Sequence, residues 1–256
     1  MAAQQEVPST PSVRFMLPSH PIELRVIISG VKSEGIKHFT LTSDDSYLEP
    51  VYLNIVKELK SLRKLSLLSF NIAFYFEEEL DIKSFIPELA KSIPYVGVDI
   101  SLFKQLVPSL LSNPEVLPCL SYLGVSSSIS EDHFSKIIDQ SINLKVVKIS
   151  VFRMLNVPLI NVLKNRDNIE MLILDLPSEI DNNRLKNPHV VNFFKKVLET
   201  GIQVIRLEID NLVLTDEILK ENKCSSIYIG DKCVTEGTPL PDSNREYLEI
   251  LLSSKY

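Results

Sequence analysis

Glycine is scarce in this chain, seven residues in 256, and tryptophan is absent. Loops that cradle phosphate with successive backbone amides need clustered glycine, and no P-loop, GxSxG or HExxH spelling occurs. Cysteine is sparse and odd in number: Cys119, Cys224 and Cys233. Such a set makes no disulfide framework and fits a reducing compartment. Cys224 occupies an apolar repeat slot and Cys119 precedes one, so both read as small buried hydrophobes, which leaves Cys233 as the candidate reactive thiol. An excess of positive charge is missing too: 27 Lys and Arg stand against 33 Asp and Glu, for a net charge of −6. Without a broad positive field, nucleic acid is not the expected ligand. No apolar run approaches the ~20 residues that span a bilayer. The opening residues, MAAQQEVPSTPSV, carry no basic stretch followed by an apolar one, so no secretory signal is expected. The four histidines, His20, His38, His133 and His189, share no ligand spacing, and Asp44-Asp45 reads as a helix cap, so neither metal nor cofactor is expected. Together these absences point to a soluble, cytoplasmic chain.

What the chain does hold is 45% hydrophobic residues arranged in a recurring pattern. Leu144, Val147 and Ile149 fit apolar-x-x-apolar-x-apolar. Ile169, Leu172 and Leu174 fit it again 25 residues later, with a helix-like NVPLINVLKNRDN between them. Further copies begin at Ile36, Leu62, Ile93, Leu120, Ile202 and Cys224, for a mean spacing of about 27 residues. Three apolar slots recur by chance in so apolar a chain, so the weight falls on the intervals. Each carries helical periodicity or helix-start chemistry. SYLEPVYLNIVKEL and DIKSFIPELAKSI are amphipathic, Ser128-x-x-Glu131 spells a capping box, and Asn187-Pro188 opens a helix that Gly201 stops.

The expected architecture is α/β: a strand-helix solenoid of about eight irregular repeats. Residues 1–20 read as a flexible tail. Residues 21–230 read as the repeat body, entered by a strand ending near Ile28. Residues 231–256 read as a loop and a capping helix over the open end, opened by the capping box Ser243-x-x-Glu246.

ILKNRDNIEMLILDL, SINLKVVKISV and TGIQVIRLEI resemble leucine-rich repeats, and the helix-bearing intervals resemble the ribonuclease-inhibitor-like subclass. The resemblance covers roughly residues 22–230. It implies a right-handed horseshoe with a parallel sheet lining the concave face and helices outside. The Asn or Cys that this family usually places three residues after the last apolar slot is missing. Asp44, Phe70, Ser101, Ser128, Phe152, Pro177, Asp210 and Lys232 stand there instead.

In such a fold the third, fifth and seventh positions of each repeat face the concave side. The third positions are His38, Lys64, Tyr95, Tyr122, Val146, Met171, Val204 and Ser226. Tyr95 through Val204 form an apolar row on a face expected to meet water, with Gly97 and Gly124 opening a notch beside the two tyrosines. Contiguous exposed apolar surface marks partner sites, and Tyr is enriched at hot spots. Asp99, Asp175 and Glu208, at seventh positions, form an expected acidic rim that would select a basic partner segment. The function expected is therefore a non-catalytic module binding another protein on its concave face, such as an adaptor or substrate-recognition subunit. The alternative is an α/β enzyme with a compact parallel sheet.

Overall fold

A computed structural model describes residues 12–16, 37–43, 69–74, 82–101, 106–151, 155–209, 212–220, 222–230, 232–235 and 244–253. Within them ten strands form one sheet. They are β1 (Ser12–Met16), β2 (His38–Ser43), β3 (Ser69–Phe74), β4 (Tyr95–Asp99), β5 (Tyr122–Ser126), β6 (Val146–Ser150), β7 (Met171–Asp175), β8 (Val204–Glu208), β9 (Ser226–Ile229) and β10 (Lys232–Cys233). Their order in the sheet is their order in the sequence. Each pairs with the next in parallel, except β10, which returns antiparallel to β9.

Parallel neighbours need a crossover. From β3 to β9 helices supply it: α1 (Ile82–Ala90), α2 (Leu106–Ser112), α3 (Glu131–Gln140), α4 (Val157–Leu163), α5 (Pro188–Leu198) and α6 (Asp216–Leu219). Their starts are chemically marked. Ser130 caps α3 by accepting from the His133 amide at 3.3 Å, so the cap lies two residues beyond Ser128. The Ser128 hydroxyl instead shares a 2.7 Å hydrogen bond with Ser126. Asn187 caps α5 by accepting from the His189 amide at 2.9 Å, with Pro188 in the first turn. Gly201 takes φ 78°, a left-handed conformation that lets the chain reverse from α5 into β8.

Period-2 alternation sorts the strands. Val96 and Val98, Leu123 and Val125, Val147 and Ile149, Leu172 and Leu174, and Ile205 and Leu207 all enter one buried cluster. The inner faces of the crossover helices, among them Ile86, Leu110, Phe134, Ile160, Phe193 and Val197, join it. Each such side chain contributes about 1.5–3 kcal/mol of burial. Two asparagines lace successive units at the entry to the strands. Asn143 donates to the Pro118 carbonyl at 2.7 Å, and Asn168 to the Leu144 carbonyl at 3.1 Å. The sheet is thus α/β and mostly parallel, with the crossover helices on one face.

Three expectations need correction. Ser12–Met16, inside the supposed tail, is a strand paired with β2. Leu62, Leu65 and Leu67, the expected second repeat, lie outside the described residues, and the strand between β2 and β4 starts later. It runs Ser69–Phe74, with Ser69 level with His38 and Tyr95. The last helix, α7 (Arg245–Ser253), does not cap an end; it lies on the sheet face opposite the crossover helices. The strand expected near Ile28, the helix SYLEPVYLNIVKEL, Lys64 and Ser243 lie outside the described residues.

Candidate protein-binding face

The face away from the crossover helices carries the third and fifth positions of each unit. Across five strands the third positions are level: Tyr122, Val146, Met171, Val204 and Ser226. Tyr95 is not in line with them. Between β4 and β5 the register steps by two residues, so Gly97 stands beside Tyr122 and Asp99 beside Gly124. A step of two keeps every side chain on its face, whereas a step of one would have inverted it. Tyr95 is level with Ser69 and His38 instead.

The row does not meet water. Tyr122 and Val204 are 1% exposed and Val146 and Met171 0%. They are buried under α7, whose Tyr247, Leu248 and Leu251 form a second apolar cluster with them and with Ile173. The physical reason is the one that made the row conspicuous. An apolar stripe on a sheet and an apolar stripe on an amphipathic helix each lower their free energy by covering the other. In α7, Arg245, Glu246 and Glu249 remain exposed. The expected notch also closes. Gly97 is buried, and a Cβ at Gly124 would fall 2.4 Å from the Asp99 carboxylate carbon. The space left by the missing side chain is occupied by Asp99.

Polar groups fix both ends of α7. At its start the Tyr95 ring stacks on Tyr247, with centroids 4.0 Å apart and planes 4° from parallel. The Tyr95 hydroxyl donates to the Asn244 side-chain oxygen at 2.5 Å, and the Asn244 amide donates to Glu170 Oε1 at 2.6 Å. Lys145 Nζ lies 3.2 Å from the same Glu170 oxygen. Burial, then the Glu170 and Glu246 carboxylates, hold the Tyr95 hydroxyl above its ordinary pKa. Glu246 pairs with Lys37, which precedes β2. At the far end Arg206 Nη1 donates to the Leu251 and Leu252 carbonyls at 2.5 and 2.8 Å. Those are backbone groups that the helix itself leaves unbonded, and a cation is favoured at that end by the helix dipole.

The expected acidic rim is an ion-pair network around Lys148, a residue 6% exposed. Lys148 Nζ lies 3.2 Å from Glu208 and 3.7 Å from Asp175. Asp99 reaches toward Lys148 across the glycine gap, with one oxygen accepting from the Ser101 amide at 2.9 Å and the other from the Tyr122 hydroxyl at 3.4 Å. Burial works against the Lys148 ammonium, but Glu208, Asp99 and Asp175 together outweigh it, so its pKa lies above the ordinary value. Burial raises the Glu208 carboxyl, against Lys148 and Arg206, which favour its charge. The lysine is charged, because three carboxylates face it. Of the three acids Asp175 keeps substantial exposure, with its side chain 45% accessible against 15% for Glu208. The negative charge offered outward is therefore much smaller than three carboxylates imply.

Sequence reasoning missed Lys148, Arg206, Glu170 and Asn244. A signal existed for two of them: Lys148 and Arg206 are charged residues at face-directed slots inside KVVKIS and VIRLE. His38 is buried with its Nε2 3.0 Å from the Thr40 hydroxyl, and burial lowers its pKa to about 4. Cys119, Cys224 and Cys233 are free thiols, and burial raises Cys224 to about 12. Among the described residues no group of His, Cys, Asp and Glu is arranged to hold a metal ion, and no helix is long and apolar enough to cross a membrane. Comparison with protein-family models, curated proteins and solved structures found no match to this chain.

Proposed function

We propose that the chain is a non-catalytic protein-interaction module, a right-handed strand-helix solenoid of the leucine-rich-repeat kind, and that the face under α7 is where a partner protein docks. The strand order and the crossover helices support the solenoid reading. One observation carries the functional reading: this face is already shaped to a peptide helix. Tyr122, Val146, Met171 and Val204 supply apolar area, Tyr95 supplies a stacking platform, and Arg206 supplies a donor to the carbonyl end of a helix. Central aromatic anchors with a polar surround are the anatomy of a protein interface. The free cysteines support a reducing, cytoplasmic setting.

The test compares two forms of the full chain in cell extract. In one, Lys37→Cys and Glu246→Cys are joined by a short bismaleimide, in a background with Cys119 and Cys233 changed to Ser. Cys224 is buried and protonated, so it does not compete. The cross-link fastens α7 to the sheet. A defined set of proteins retained by the open form and lost from the fastened form is the expected result. Identical sets would remove this face as the docking surface.

A further inference from the structure

We draw no further inference here: the strongest candidate, the side-chain cluster of Lys148 with Asp99, Asp175 and Glu208 towards the C-terminal ends of β4, β6, β7 and β8, belongs to the ion-pair network already described, in which the buried ammonium and the three carboxylates face one another, and nothing in the structure shows a ligand for it.

Discussion

Replacing Arg206 with Met should loosen one helix and leave the sheet in place. The guanidinium donates to two backbone carbonyls, of Leu251 at 2.5 Å and Leu252 at 2.8 Å. Hydrogen bonds from a charged donor contribute about 1.5–3 kcal/mol each. Part of this returns, since the Leu252 end is half-buried and its carbonyl can find water. Met keeps the aliphatic stem, so packing along β8 is largely preserved. Glu208 loses a neighbour at 3.8 Å but retains Lys148 at 3.2 Å. The net weakening of α7 docking is therefore about 2–4 kcal/mol. In native-state hydrogen exchange a tenfold change corresponds to about 1.4 kcal/mol, so protection of the α7 amides should fall by about 30- to 1000-fold. Protection in β6 and β7 should hold. If α7 and the strands lose protection together, the helix is not an independent unit and the argument fails. If nothing changes, Arg206 does not hold it.

Three further outcomes follow from single contacts. Burial holds His38 at about 4, against 6.5 when unfolded. The neutral ring is favoured in the fold, so this stability is complete above pH 6.5 and is lost as pH falls from 6.5 towards 4. It amounts to about 3 kcal/mol. Denaturant midpoints of wild type should drop more steeply over that range than those of His38→Leu, and parallel curves would refute the assignment. Gly124→Ala puts a methyl into the Asp99 carboxylate and should cost about 1–3 kcal/mol. Combining it with Asp99→Ala should cost less than the sum of the two, and simple additivity in a double-mutant cycle would argue against the clash. Asn168→Ala removes the bond to the Leu144 carbonyl at 3.1 Å and should lower unfolding free energy by about 1 kcal/mol. An unchanged urea midpoint would show that this link does not hold the units together.

The parts of the fold visible in the sequence are those where one strand face meets one helix face. Leu144-x-x-Val147-x-Ile149 and its partner at Ile169 announced β6 and β7, because their fourth and sixth slots point into the helix-packed core. β3 was hidden by a decoy. Leu62, Leu65 and Leu67 spell the pattern, while the strand between β2 and β4 is Ser69–Phe74, with Ile72 in the core. Composition cannot separate two such frames, and only pairing with β2 and β4 does. The register step at Gly97 was invisible for a similar reason, since a shift of two residues leaves the apolar pattern unchanged. The asparagine links were sought after the last apolar slot and are found before the first, at Asn143 and Asn168.

The face under α7 shows how a correct register still led to a wrong expectation of exposure. Strands buried on one side alternate, and strands buried on both read as continuous apolar runs. MLILD is such a run, with Met171 and Ile173 on the α7 side and Leu172 and Leu174 on the other. An apolar third and fifth position in one strand was therefore a statement that something covers that face. The cover was also legible: EYLEILL has an apolar stripe and no place in the repeat. Neither stripe alone names its mate, because hydrophobic burial is non-directional. The charged residues supply the direction. Lys148 and Arg206 sit at face-directed slots beside the apolar Val146 and Val204, and a buried cation demands a specific acceptor. Lys148 finds three carboxylates, and Arg206 finds the carbonyl end of a helix. A charged residue in an apolar slot marks where a sheet face is matched to what covers it, here the chain's own helix.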